Sequence, residues 1–257
     1  MQQPFPRKVF IGGNWKSNGD KTFVGNHTMF LNNIQFDKNN CEVAVCPIFI
    51  HLQNVKTFIA NGIYVCAQNV SPFQDGAFTG EVTAKQLKNL GINWTLVGHS
   101  ERRQYFHEDE KIIGDKLDQV FSNGMKVILC VGEKLADRED NKTFEIIDAQ
   151  IKTVVEKSAK NWDDIVIAYE PVWAIGTGKT ASPEQAQEVH DHIRKYISKH
   201  VNEEVANKVR IIYGGSVNEK NCNELIQMKD IDGFLVGGAS LKPSFKIIVE
   251  SYSNKKF

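Results

Sequence analysis

The feature that most constrains the fold is an alternation repeated along nearly the whole chain. Short runs of apolar, often β-branched residues take turns with longer amphipathic stretches. The runs cover residues 9–11, 43–47, 63–67, 94–97, 127–131, 165–169, 209–213 and 234–236. Helical spacing is expected over 22–34, 52–61, 83–90, 109–121, 143–158, 183–200, 218–228 and 243–252. Gly91 reads as a helix stop, and Ser182-Pro183 as an N-cap followed by proline at the first helical position. The runs are almost continuously apolar, as strands are when a parallel sheet buries both faces. Strict alternation permits a doubly wound sheet or a closed barrel. Eight units in a chain of 257 residues fit a (β/α)8 barrel, which typically takes about 250. Residues 1–257 are therefore expected to form one domain, long enough to bury a core without disulfides or metals.

Charge and cysteine usage narrow the function classes. The 31 basic and 31 acidic residues cancel, with no basic stripe for nucleic acid. An anionic ligand would have to be held by local geometry, since net charge will not attract it. Five cysteines lack C-x-x-C spacing, which fits reduced thiols in a cytoplasmic protein. The first residues, M-Q-Q-P-F-P-R-K, have no signal-peptide apolar region, and no apolar run approaches the ~18 residues of a membrane span. The expected partners exclude nucleic acid and membrane.

In a (β/α)8 barrel the active site lies at the C-terminal ends of the strands, so polar residues there carry the most information. Strand one ends in Asn14 and Lys16, strand four in Gly98-His99-Ser100-Glu101-Arg102-Arg103, and strand six in Glu170. Glu170 opens a stretch that starts stiff (Pro171-Val172-Trp173), turns flexible (Ile175-Gly176-Thr177-Gly178) and closes on Lys179-Thr180. An acid at a strand tip beside such a loop suggests a base beneath a lid. It also suits a plain helix cap or a lysine partner. His99 precedes Ser100, read as the N-cap of a short helix through Phe106; the positive potential there favours a neutral imidazole. Such a ring can donate a hydrogen bond to a carbonyl oxygen. Lys16 is either a surface charge or the cation for an anionic substrate. Asn14 has only its position to recommend it.

Strands seven and eight end in Gly214-Gly215-Ser216 and Gly237-Gly238. One glycine pair reads as a tight turn. Two pairs at these strand ends favour backbone N–H groups left open to a phosphate. Two other strings fail as motifs. Gly178-Lys179-Thr180 lacks the P-loop's first glycine, because Trp173 stands there, and Gly176-x-Gly178-x-x-Ala181 lacks the strand context of a dinucleotide site. No His, Cys and Asp cluster has metal-ligand spacing, and Cys130, in an apolar strand, is assigned to packing.

In order along the chain, the strings Gly13-Asn14-Trp15-Lys16, Gly76-Ala77-Phe78-Thr79-Gly80-Glu81, Gly98-His99-Ser100-Glu101-Arg102-Arg103, residues 169–180, Tyr213-Gly214-Gly215-Ser216 and Gly237-Gly238-Ala239-Ser240-Leu241 form a specific set. With them the chain resembles the triosephosphate isomerase family over nearly its full length. The resemblance implies interconversion of dihydroxyacetone phosphate and D-glyceraldehyde 3-phosphate, in glycolysis and gluconeogenesis, without cofactor or metal. It implies Glu170 as base, neutral His99 as electrophile, Lys16 and Asn14 on the substrate, and Glu101 orienting Lys16 and His99. A carboxylate base facing a neutral imidazole is this family's own well-known pattern. Phosphate would rest on the N–H groups of Gly176, Ser216, Gly237 and Gly238, under a lid of Pro171, Val172, Trp173, Ala174, Ile175, Gly176, Thr177, Gly178, Lys179, Thr180 and Ala181. The resemblance also implies a homodimer, with Ser17, Phe78 and Thr79 at the interface and the partner's Thr79 reaching the Asn14 and His99 region. Exposed Phe73 and Phe78 on the loop after strand three fit a covered surface. Departures fall at the 71–75 loop tip, at Ser17 (often methionine or cysteine) and at His107 (often glycine), and bear on the interface rather than the chemistry.

Two other classes compete. A Schiff-base aldolase on this barrel would need a buried lysine, commonly at the end of strand six, where Glu170 stands; borohydride trapping with substrate would distinguish it. A non-catalytic barrel would be favoured by the loss of Lys16, His99 or Glu170, and all three are present.

Overall fold

A computed structural model describes residues 7–157, 162–174 and 181–255. Its strands are β1 (Val9–Asn14), β2 (Cys41–Cys46), β3 (Tyr64–Ala67), β4 (Trp94–Val97), β5 (Lys126–Val131), β6 (Ile165–Tyr169), β7 (Arg210–Tyr213) and β8 (Gly233–Val236). Each pairs in parallel with the next in sequence. β1 also pairs with β8, Phe10 opposite Gly233 and Gly13 opposite Val236, so the sheet is a closed barrel rather than an open doubly wound one.

Period-two side-chain alternation divides the core into two layers. Phe10, Cys46, Cys66, Leu96, Cys130 and Leu235 belong to one buried cluster inside the barrel. Their strand neighbours Val9, Ile11, Val45, Val97, Val131 and Val236 belong to a second, shared with the helices outside. Burial pushes the Cys130 thiol well above its ordinary range, consistent with a packing role.

Among the described residues the helices are α1 (Lys21–Asn32), α2 (Leu52–Phe58), α3 (Ala84–Asn89), α4 (Ser100–Tyr105), α5 (Glu110–Ser122), α6 (Leu135–Glu139), α7 (Thr143–Lys157), α8 (Pro183–His200), α9 (Glu203–Lys208), α10 (Cys222–Leu225) and α11 (Phe245–Glu250). Local chemistry fixes the best-defined ends. Thr83 and Ser182 close capping boxes with Gln86 and Gln185, and Pro183 takes the first turn of α8. Gly91 follows α3 with φ +72°, a left-handed conformation that glycine adopts without strain. His107, which departs from a glycine frequent in the family, holds the same region at φ 53°.

Four expectations are corrected. Helices outnumber the eight expected because the connections carry short helices of their own, α6 and α9 among them. The 218–228 stretch forms only α10, and the 52–61 helix stops at Phe58, where Ile59 turns extended while its N–H still reaches the Val55 carbonyl. The α4 cap is His99, not Ser100: the imidazole Nδ1 accepts the Glu101 N–H at 3.2 Å and leaves Ser100 inside the helix.

At the N-terminal ends of β7 and β8, the barrel floor holds a compact charge network. Arg194 Nε and Nη2 donate to Asp230 at 2.7 Å and Asp232 at 2.9 Å. Arg7 Nε reaches the other Asp232 oxygen at 2.7 Å. Asp232 also accepts the Ile211 N–H, and Lys255 donates to the Met228 and Ile231 carbonyls.

Candidate active site

The mouth of the barrel encloses a cavity of about 420 Å³ lined by Asn14, Lys16, His99, Glu170, Gly214, Gly215, Ser216, Gly237 and Gly238. Side chains expected from four strand ends thus meet in one place. Each is set by the backbone that carries it. Asn14 ends β1 buried, and its Oδ1 accepts the Lys16 N–H at 3.0 Å. Lys16 has φ 53°, an uncommon conformation for a side-chain-bearing residue and one often found at functional sites. Gln68 holds that turn from β3, donating to the carbonyls of Lys16 at 2.7 Å and Cys46 at 2.8 Å. The Lys16 ammonium meets Glu101 Oε1 at 2.5 Å, and Glu101 Oε2 lies 3.7 Å from His99 Nδ1.

Glu170 is 2% exposed and bound through both oxygens. Oε1 lies 3.0 Å from His99 Nε2, and Oε2 accepts the Ser100 N–H at 2.9 Å. Because His99 Nδ1 accepts a backbone N–H, the neutral tautomer satisfying both contacts carries its proton on Nε2 and donates it to Glu170. Burial alone would raise the Glu170 carboxyl; the charge and hydrogen bond of His99, the Ser100 N–H and Lys16 overcome it and hold the carboxyl below its usual range. For His99, burial pushes down, Glu170 and Glu101 push up, and the net direction is upward. With Glu170 parked against it, the ring therefore attracts a proton more strongly than the helix-terminus argument alone suggests.

The two glycine pairs differ in what surrounds them. None of the four has a positive φ. A Cβ on Gly214 would meet Glu170 Cγ at 2.9 Å, and one on Gly215 would collide with the Tyr213 hydroxyl. That pair is glycine because protein atoms are close. A Cβ on Gly237 would find Lys16 Cε no nearer than 3.5 Å, and on Gly238 it would find nothing within 4 Å. At Gly238 neither a positive φ nor a neighbour demands glycine, and both residues line the cavity.

Of the proposed lid, Pro171, Val172, Trp173, Ala174 and Ala181 are described; Ile175, Gly176, Thr177, Gly178, Lys179 and Thr180 lie outside the described residues. Residues 172–174 form a 3-10 turn tied down from two strands. The Val172 N–H donates to the Glu133 carbonyl at 3.1 Å, and the Ser216 hydroxyl to the Ala174 carbonyl at 3.0 Å. The buried Glu133 carboxylate accepts from Trp173 Nε1 at 2.9 Å and the Tyr169 hydroxyl at 3.1 Å, with Arg138 at 3.2 Å.

Sequence reasoning missed Gln68, Glu133 and Gly132, whose Cβ position is filled by the Glu170 carbonyl. All three sit just past strand ends. Applied to β3 and β5 as well, the strand-end rule finds them. The interface candidates lie to one side. Phe73 and Phe78 stack at 4.1 Å while remaining 45% and 41% exposed, and Thr79 is exposed. Ser17 lines a second cavity of about 270 Å³ that shares Asn14, Lys16 and His99 with the first. Among the described residues, no helix is long and apolar enough to cross a membrane.

Comparison with known proteins agrees with this geometry. Residues 9–252 match the family model described as triosephosphate isomerase. The chain is 50% identical to a cytosolic triosephosphate isomerase of Oryza sativa subsp. japonica over 97% of its own length and 98% of the relative's. It is equally identical to a chloroplastic triosephosphate isomerase of Arabidopsis thaliana, over 97% of its own length and 79% of that relative's. A closed eight-stranded barrel, an acid and a histidine in contact at its mouth and this match across the strands place the chain in the triosephosphate isomerase family.

Proposed function

We propose that the chain works as a single barrel domain that interconverts dihydroxyacetone phosphate and D-glyceraldehyde 3-phosphate, with Glu170 as base and His99 as electrophile. Family membership supports the reaction. The observation that carries the assignment of roles is the 3.0 Å contact of Glu170 with His99 on the cavity wall, beside Lys16. Taking a proton from a carbon next to a carbonyl requires a base and a donor for the oxygen that becomes negative, each worth about 10²–10⁴-fold.

Both Glu170 oxygens are engaged, by His99 and by the Ser100 N–H. Substrate binding must exchange these contacts. The carboxylate turns to the carbon-bound proton, and the freed His99 Nε2–H meets the carbonyl oxygen. Withdrawal of Glu170 removes the larger upward pull on His99 and leaves Glu101 alone against burial and Lys16. The ring then acts as a neutral donor. Glu170 returns the proton to the adjacent carbon, and His99 moves protons between the two oxygens of the enediolate. Lys16 and Asn14 steady the charge and the substrate, and Glu101 holds the Lys16 ammonium. The N–H groups of Ser216, Gly237 and Gly238 receive the phosphate, with Gly176 added from the lid. Residues 171–181 close over the site, exclude water and couple the remote phosphate to assembly of the reacting groups.

The test is a coupled assay of triose phosphate isomerisation on the wild type and Glu170→Gln. High activity in the first and a loss of several orders of magnitude in the second are expected. Equal rates would remove Glu170 as the base. We further propose a homodimer, in which the partner's Thr79 fills the second cavity near Ser17 and the Phe73–Phe78 stack is covered. Sedimentation velocity at low concentration tests this; a monomer retaining full activity would sink it. Five free, buried cysteines suit a reducing compartment, and we place the chain in the cytoplasm, serving glycolysis and gluconeogenesis. Cell fractionation checks the location.

A further inference from the structure

Among the buried ionisable groups that the proposed chemistry does not use, His27 bonds to the turn whose residues 237–239 line the cavity. It lies on the inner side of α1, 6% exposed. Its ring is fixed on several sides by aromatic neighbours. It stacks on Phe23 with centroids 4.9 Å apart and on Phe30 at 5.5 Å, and meets Trp15 edge-on at 5.2 Å. A phenylalanine or leucine would satisfy that packing. A histidine adds one directed contact: Nε2 is 2.8 Å from the Ser240 carbonyl oxygen. A carbonyl only accepts, so Nε2 carries the proton. Burial lowers the affinity of this ring for a second proton, with the Ser240 contact opposing, and the net direction is downward. His27 is therefore a neutral, oriented donor.

Ser240 is the hub of the turn that follows β8. It is fully buried, while its neighbours Gly237, Gly238, Ala239 and Leu241 line the cavity. Its N–H closes the turn onto the Gly237 carbonyl at 2.8 Å. Its side chain lies over Gly13 of β1, with the hydroxyl 3.5 Å from the Asn14 carbonyl oxygen. The three contacts fix the turn from three directions, through β1, through Gly237 and through α1. Only the last depends on a side chain remote from the cavity. Without His27 the Ser240 carbonyl would lose its buried donor, and the turn would relax to find another.

We infer that His27 is a positioning residue for the anion end of the site: its hydrogen bond to Ser240 sets where the Gly237 and Gly238 N–H groups stand. This rests on reading those groups as phosphate donors. The predicted effect falls on phosphate affinity rather than on proton transfer, because Glu170 and His99 are carried by other strand ends; only Lys16 shares its strand end with Trp15, on which His27 packs.

The experiment measures KM for dihydroxyacetone phosphate, kcat, and the competitive inhibition constant of inorganic phosphate in the wild type, His27→Leu and His27→Gln. His27→Leu should raise KM and the phosphate constant together by about tenfold, the worth of one hydrogen bond to a buried carbonyl at about 1.4 kcal/mol. kcat should stay within about twofold of the wild type. His27→Gln, whose amide keeps a donor within reach of Ser240, should recover most of the loss. A wild-type KM and phosphate constant in His27→Leu would overturn the inference even if its melting temperature fell, and so would a fall in kcat at unchanged KM. Should His27→Leu fail to fold, the unmutated enzyme decides: the 15N–1H signal of His27 Nε2 should shift on titration with inorganic phosphate, and an unmoved signal at saturation would overturn the inference. A wild type that isomerises triose phosphate but is not inhibited by phosphate would instead remove the phosphate site on which the inference stands.

Discussion

The two ends of the barrel both bury charge, and they treat it differently. On the floor each Arg194 contact is answered by a fixed protein acceptor, from Asp230, Asp232 and the Ala206 and Val209 carbonyls. Asp232 is equally saturated, by Arg194, Arg7 and the Ile211 N–H. At the mouth the pairs are as short, but they face a cavity and a competitor can replace one member. In the proposed reaction Glu170 gives up His99 and Ser100 to the substrate, while Glu101 keeps the Lys16 ammonium. A saturated network resists change and contributes to stability or specificity of the fold. An exchangeable one stores groups in register for chemistry.

This contrast predicts separable losses. Glu170→Gln should cost about 10³–10⁴-fold in kcat and leave the urea midpoint almost unmoved; a large fall in that midpoint would make Glu170 a structural group. Arg194→Met leaves two buried carboxylates short of a partner. It should destabilise by about 3–5 kcal/mol while kcat per folded molecule is kept, so lost turnover in the folded fraction would break the division. His190 joins the two ends, bonding the Asp230 carbonyl at 3.0 Å while its ring meets Tyr169 edge-on. Burial first of all holds its pKa down to about 4, against about 6.5 for an unperturbed histidine. The unfolded chain therefore binds the proton more readily between those values. The stability held above pH 6.5 should decline by roughly 3 kcal/mol as pH falls to about 4, and a His190→Phe variant should lose that part of the slope in urea titrations. Smallest, Gly238→Ala should raise KM about tenfold, near the ~1.5 kcal/mol of one hydrogen bond to a charged group, without a shift in melting temperature. Gly214→Ala should instead lower kcat, because the added methyl meets Glu170.

Most of the barrel was legible because strand burial is a local, repeated signal. The limits of β4 and β6 match the apolar runs residue for residue. Helix ends were legible where a cap writes itself into sequence, as at Thr83 and Ser182, and not at 218–228, where tertiary packing leaves α10 a single turn. Strand-end position brought Asn14, Lys16, His99 and Glu170 together. It did not give their pairing, since contacts such as Ser100 N–H to Glu170 join residues 70 apart in sequence. Nor did it separate the two glycine pairs, whose difference lies in what a missing methyl would touch.

Barrel closure bears on the making of the molecule as well as on its finished shape. The last seam joins Phe10 to Gly233, so the free edge of β1 waits for β8 to be made. Until then every intermediate with strands paired in order is an open sheet with two raw edges, each a row of unpaired N–H and C=O groups ready to template another chain. The vulnerable interval is set by synthesis time rather than by native stability. A chain stalled just before β8 would meet its hazard with the mouth residues of β1, β4 and β6 already made and nothing yet to seal the ring.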